Sequence, residues 1–413
     1  MRAQVLSLFL VGLFSSRLAA DWPQFRGPDG QGYSPARGLP LRWSEKENVR
    51  WKTPVPGLGW SSPVIAGRQV WLTTATDQGQ SLRAICLDAE SGKLLHNIEV
   101  LHVKDPPKIN AKNSYASPTP VLADDRLYVH FGTLGTACLE TATGKVLWTN
   151  EELHLDHKEG PGSSPIVWGD LLIVNCDGMD VQYVAALDRK TGRLAWKAKR
   201  TGVQSPNPDF RKAYSTPLVI RVGGKEQLVS VGADRASAYD PATGKEIWWV
   251  NYNGFSNVPR PVHGHGLVFL CTGYLRPEVW AVRPDGKGDV TRSHIVWREA
   301  KQAPANPSPL LVEETLYLVN DAGILAARSA TTGRLLWSER LGGAFAASPL
   351  YADGRLYLCD EDGTTSVVKP GGKFELLARN SLDGRVQASP AVAGRALFLR
   401  TDGHLYRIEE RDK

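Results

Sequence analysis

The chain has 413 residues, of which 42% are hydrophobic and 22% charged. That is enough apolar material for a large core, and it lacks the bias of a disordered protein. The formal charge of +6 is spread along the chain with basic and acidic residues interleaved, which excludes the clustered basic stripe of a nucleic-acid binder. With 40 Gly and 27 Pro against 2 Met, many short strands joined by turns are favoured over long helices.

Residues 1–20 have the pattern of a signal peptide. Arg2 gives a positive start, Val5 to Phe14 form an apolar run too short to span a bilayer, and Leu18-Ala19-Ala20 offers small residues for cleavage before Asp21. Export to the periplasm or the extracellular space is expected, with the formal charge falling to +4 once Arg2 and Arg17 are removed. No Cys follows this segment, so lipid attachment there is not expected. No later stretch reaches about 18 uninterrupted apolar residues, so the mature chain is expected to insert into no membrane; a monomer is expected. Cys86, Cys138, Cys176, Cys271 and Cys359 lie far apart and form no metal-binding or haem-attachment pair.

Residues 21–46 form an N-terminal arm, and residues 47–413 carry a repeat. A small or polar residue followed by Pro recurs at Ser62-Pro63, Ser117-Pro118, Ser164-Pro165, Thr216-Pro217, Arg260-Pro261, Ser308-Pro309, Ser348-Pro349 and Ser389-Pro390. The interval, about 40 to 55 residues, is close to the period of one four-stranded propeller blade. The third unit shows the four strands best, at 164–167, 171–175, 183–187 and 194–197. Its last two pieces carry Ala186-x-Asp188-x-x-Thr191-Gly192-x-x-x-Trp196, repeated in full at Ala238, Asp240, Thr243, Gly244 and Trp248 and more loosely around Trp148 and Trp337. A Trp at this fixed offset can bury its ring between neighbouring sheets. His96 takes the Trp position in the first unit, and the eighth unit stops at Ile408 without a fourth strand. Asn48-Val49-Arg50-Trp51 supplies the missing piece, so an N-terminal strand is expected to close an all-β, eight-bladed propeller and remove its open edge.

This tryptophan-docking motif resembles the PQQ-like (quinoprotein-dehydrogenase-like) propeller repeat, and the resemblance runs from Trp51 to Ile408. In quinoprotein dehydrogenases it implies pyrroloquinoline quinone (PQQ) with Ca²⁺, a catalytic Asp and often an adjacent Cys-Cys pair. Here no two cysteines are adjacent, and the cofactor loops cannot be matched residue by residue, so no cofactor and no catalytic set are assigned. The chain also resembles BamB-like propellers, which implies a scaffold in outer-membrane protein assembly.

Up-and-down strands put the tight turns on one face and the long, varied connections on the other. Binding residues concentrate in such loops. The candidates there are Trp60, Asn113, Tyr115, Asp177, Asp180, Tyr214, Arg260 and Tyr274, with packing at the inner strand entry or turn hydrogen bonds as the alternative for each. His154-x-x-His157 lacks a third ligand, and His263-Gly264-His265 falls on the opposite face, so no metal site is assigned. The expected role is a non-catalytic binding or scaffolding module of the cell envelope, with a protein or a carbohydrate as partner. A PQQ-dependent dehydrogenase of alcohols or sugars is one alternative, and carbohydrate binding through Trp60, Tyr115 and Tyr274 is the other.

Overall fold

The computed structural model describes residues 22–203 and 205–410; the expected signal peptide lies outside them. Among the described residues the strands form eight sheets, each built on four antiparallel strands. The third blade is typical: Ile166–Trp168, Leu171–Asp177, Gln182–Asp188 and Leu194–Lys199 pair in chain order. The eighth consists of Ala391–Ala393, Ala396–Arg400 and His404–Ile408, and Val49–Pro54 pairs antiparallel with the last of these. The ring is therefore closed by the N-terminal strand, as the incomplete eighth repeat implies. No helix among the described residues is long and apolar enough to cross a membrane.

Each blade begins with a three- to five-residue strand that follows a Pro, and these short strands stand innermost. Pro suits that place because it opens a strand where no ladder N–H is required. In the second blade the inner strand is Val121–Ala123, so the repeating pair is Thr119-Pro120. Ser117-Pro118, expected from the sequence to be the mark, stands two residues too early.

The residues before these prolines form a circle of hydrogen bonds, in which the backbone N–H of each donates to the side-chain hydroxyl of the next blade. Ser62 donates to Thr119 (2.9 Å), Thr119 to Ser164 (2.9 Å) and Ser164 to Thr216 (3.0 Å). Arg260 donates to Ser308, Ser308 to Ser348, Ser348 to Ser389 and Ser389 back to Ser62, at 2.9–3.0 Å. The one gap falls between the fourth and fifth blades, because Arg260 has no hydroxyl. Two other contacts staple that gap. The Arg260 Nε donates to the Pro217 carbonyl (3.1 Å), and on the outside Gly288–Asp289 from the fifth blade pairs parallel with Trp248 and Trp249 of the fourth.

The tryptophans join the blades further out. The indole N–H of Trp51, Trp148, Trp196, Trp297 and Trp337 donates at 2.8–3.1 Å to a backbone carbonyl of the following blade, at Ala89, Arg189, Pro241, Ala330 and Gly371. The ring also lies on the Gly of the neighbouring turn. A Cβ on Gly192 or Gly244 would come within 2.5 Å of Trp148 or Trp196, so the Thr-Gly turn requires glycine for space as well as for its positive φ (75° and 71°). In the first blade His96 stacks on Trp71 instead, with ring centres 5.5 Å apart.

In the seventh blade the Trp position is Ala378, opposite Val367, and the arm fills the vacancy. Trp43 stacks on Tyr357 at 6.3 Å, where other blades set their own Trp beside the second-strand aromatic, as in Tyr128–Trp148 and Tyr317–Trp337. The arm reaches that blade across the tight-turn face. Trp22 pairs with Ile65 of the first blade, the Pro23 carbonyl accepts from Leu122 N–H of the second, Gln31 Oε1 accepts from His263 N–H of the fifth, and Ser34 N–H donates to Tyr351 of the seventh. This path crosses the propeller axis and covers the channel at that end.

Candidate functional site

On the opposite face the channel opens into a cavity of about 660 Å³, within the size range of small-ligand sites. Its floor is the hydroxyl circle together with Phe25, and its walls come from the long connections. The 3₁₀ turn Pro208–Phe210 is started by Asn207, whose side chain accepts from Asp209 N–H, with Pro208 at the first position. This turn presents Phe210, which stacks on Phe255 with ring centres 4.3 Å apart. The loop after Cys271 carries Tyr274 and Leu275, 54% and 66% exposed, and Tyr274 N–H donates to the Phe255 carbonyl (2.7 Å). An apolar wall thus stands at the mouth on the side of the fourth and fifth blades.

Several charges on the walls are paired. Lys158 Nζ lies 2.6 Å from both Asp209 oxygens and holds that carboxyl below its ordinary range. Asn110 donates to Glu159 (2.8 Å), Lys212 Nζ stands 3.8 Å from the same carboxylate, and Arg385 lies 3.5 Å from Glu361.

Of the residues expected from the sequence, Trp60, Asn113, Tyr214 and Tyr274 line this cavity, with different freedom to act. The Trp60 indole N–H is committed to the Lys112 carbonyl (3.1 Å), and the Arg385 guanidinium lies 5.7 Å from its ring. The Asn113 amide donates to the Glu159 and Pro161 carbonyls, while its oxygen accepts from Ser114 N–H and the Ser117 hydroxyl. All of its hydrogen-bonding capacity is used in shaping the wall. Tyr214 is buried and donates its hydroxyl to the His157 carbonyl (2.7 Å), so only its ring faces the cavity. Tyr274 alone among the four is open to solvent.

The other four lie elsewhere. Tyr115 packs on Gly79 and donates to the Pro107 carbonyl (2.8 Å). Asp180 accepts from Asp156 N–H (2.8 Å) in a surface loop. Asp177 is wholly buried in a two-point ion pair with Arg200 (2.8 and 2.9 Å); burial pushes its carboxyl up against the pull of that guanidinium. Arg260, expected on the loop face, turns its guanidinium into the arm, where it donates to the Phe25 carbonyl (2.6 Å) and to Gln24 Oε1 (3.2 Å). A Cβ on Gly30 would strike it.

Phe210, Phe255, Leu275, Phe25 and the hydroxyl circle were not singled out by sequence reasoning. Aromatic and aliphatic residues inside otherwise polar connections were the available signal for the wall. The hydroxyls could have been found by asking why Ser or Thr, rather than any small residue, precedes nearly every repeat Pro.

Metal and quinone chemistry can be tested against these residues. His157 is buried, its Nε2 accepts from Thr133 N–H (3.0 Å), and burial lowers it to about 4, so that nitrogen is already engaged within the protein. Among the described residues no three His, Cys, Asp or Glu side chains converge on a point that could hold a metal ion. All five cysteines are buried and unpaired. The cavity residues therefore do not fit a quinone held through a calcium ion and capped by a disulfide.

Comparison with known proteins agrees with this architecture. The family model described as outer membrane protein assembly factor BamB matches residues 41–179, 180–287 and 286–370. The outer membrane protein assembly factor BamB of Legionella pneumophila (strain Paris) is 26% identical over 206 residues, covering 46% of this chain and 49% of that protein. The dehydrogenase subunit of the quinone alcohol dehydrogenase of Gluconobacter oxydans (strain 621H) is 26% identical over 303 residues, covering 65% of this chain and 34% of that protein. The chain thus spans less than two thirds of either relative. The structure of BamB from Moraxella catarrhalis superposes with a TM-score of 0.55 at 15% identity, covering 82% of this chain and 98% of that one, a likeness of fold. With the family model matching most of its length, this chain is a member of the BamB family of PQQ-like propellers.

Proposed function

We propose that this protein is a non-catalytic binding module of the cell envelope that receives a ligand or partner segment in the cavity of its loop face. The observation carrying this reading is the cavity itself: Phe25 of the arm lies at its floor, and its mouth exposes Phe210, Tyr274 and Leu275 beside the stacked Phe255. Exposed apolar groups grouped at a concave site mark recognition surfaces. Relatives named as outer membrane assembly factors support an envelope location and a scaffolding role, reached through export with loss of residues 1–20.

The experiment compares the two faces. Immobilised protein bearing Phe210→Ala and Tyr274→Ala is expected to lose most of what the wild type retains from an envelope extract, because aromatic anchors dominate binding energy. Charge reversals at Lys145, Arg193 and Lys245, in the tight turns of the other face, are expected to leave capture intact. Equal loss from both sets would refute a one-faced module.

Oxidation of alcohols or sugars with PQQ is the alternative, supported by the similarity to the quinone alcohol dehydrogenase. Reconstitution with PQQ and Ca²⁺ followed by dye reduction is expected to give neither stoichiometric binding nor turnover, since the cavity residues do not form the ligand set. Turnover above a heat-treated control would establish the enzyme.

A further inference from the structure

The floor of the cavity is made of donors. Ser62, Thr119, Ser164, Thr216 and Ser389 are each more than nine-tenths buried and line the cavity. Each hydroxyl oxygen accepts a backbone N–H from the preceding blade. A hydroxyl also carries a hydrogen to donate, and among the described residues none of these five hydrogens has an acceptor. Ser348 differs, because it donates to Ser308 (3.0 Å).

Three buried guanidiniums without carboxylate partners among the described residues lie on residues that adjoin or belong to this floor. Arg260 holds the fifth-blade position of the circle, the one without a hydroxyl. Arg26 follows Phe25 in the arm, and Arg400 donates to Ser61 beside Ser62. All three are buried, burial lowers each to about 9, and none forms an ion pair among the described residues. Two further nitrogens on Arg26 and two on Arg400 lack any acceptor. The nearby carboxylates are engaged elsewhere: Glu159, Asp209 and Glu361 with wall cations, and Asp321 with Ala305 N–H and the Asn306 amide. Asp29 acts on Arg26 and Arg260 only at a distance.

We propose that the cavity floor is an anion receptor whose ligand is an organic carboxylate, its carboxylate seated on the Ser62, Thr119, Ser164, Thr216 and Ser389 hydroxyls and its apolar body held by Phe25 and the Phe210–Phe255–Tyr274 wall. This rests on the cavity being the recognition site, and it names the ligand class and orientation. Hydrogen bonds from hydroxyls to a carboxylate are about twice as strong as neutral ones. Guanidiniums that hold the field without touching the ligand suit one negative charge better than two, since the desolvation of a dianion would go uncompensated.

The test is calorimetric titration of the whole protein with 3-phenylpropionate, its primary amide and inorganic sulfate. The acid is expected to bind about tenfold or more tightly than the amide, and sulfate more weakly than the acid. Joint Thr119→Val and Thr216→Val substitution should remove about tenfold of the acid affinity, whereas Thr119→Ser with Thr216→Ser should retain it. The comparison of acid with amide needs no variant, so it stands even if the valine protein does not fold. Equal binding of acid and amide, no binding of the acid at millimolar concentration, or full affinity in a folded valine protein would overturn the receptor. Sulfate binding as tightly as the acid would overturn the apolar half. These titrations report on the floor and the two-face capture comparison on the mouth, so failure of either is told apart from failure of the other.

Discussion

Replacing Asp177 by alanine is expected to destabilise the protein by about 3–5 kcal/mol, the range for removing one partner of a buried ion pair. The carboxylate and the Arg200 guanidinium are fully enclosed and meet at two points. Arg200 continues to Ser230 Oγ (2.7 Å), which donates to Asn175 Oδ1, while the Asn175 amide donates to the Ser215 carbonyl. The third and fourth blades are joined through this chain. Without Asp177 the guanidinium stays buried with no counter-charge, and an uncompensated charge costs more than the lost attraction. Changing both residues together, Asp177→Leu with Arg200→Met, should therefore lose less than either single change. Denaturant unfolding of the two single variants and the double variant measures the coupling. A single-variant loss below about 1 kcal/mol would show that water reaches the pair.

The second large effect is expected at the ring closure. Trp51→Ala should cost about 3 kcal/mol, the low end for an aromatic truncation because the ring is only partly buried. Trp51 donates to the Ala89 carbonyl, packs edge-on against Phe398 (5.9 Å) and covers Gly92. Thr53 adds a bond to the Gly92 carbonyl (2.8 Å). Deleting residues 48–53 removes these contacts and the ladder with His404–Ile408, so its loss should exceed that of the point variant and expose an unpaired edge open to association. Thermal melts with light scattering read both consequences. A deletion protein that melts like the wild type and scatters no more light would contradict the pairing.

What the sequence disclosed and what it hid divide along chemical range. The blade period, the Thr-Gly turns and the docking tryptophans were legible because each is set within one repeat and recurs. The second blade misled because Ser117-Pro118-Thr119-Pro120 offers two marks in succession, and only strand pairing shows which opens the strand. The partner of Ala378 in the seventh blade was not legible, since the substitute for its missing Trp, Trp43, comes from an arm far away in the chain. Site residues were harder still. Asp177 sits at the start of a long connection, as expected, but its burial is decided by Arg200. The place of Arg260 is decided by carbonyl and amide groups of the arm, more than two hundred residues earlier. Loop length points to a face; it does not say which loop side chains are already taken by the protein's own backbone.

Closing the circle with the N-terminal strand also imposes an order in time. Residues 49–54 are made well before their partners at 404–408. Until the last blade has been made this strand has no sheet to join, and the first blade, which it will flank, has one open side. Contacts between distant parts of a chain form slowly, and unpaired strands are the species that aggregate while waiting. Arg50 and Lys52 alternate with Trp51 and Thr53 along the strand, so the segment carries the charges that keep a waiting edge in solution until its partner arrives.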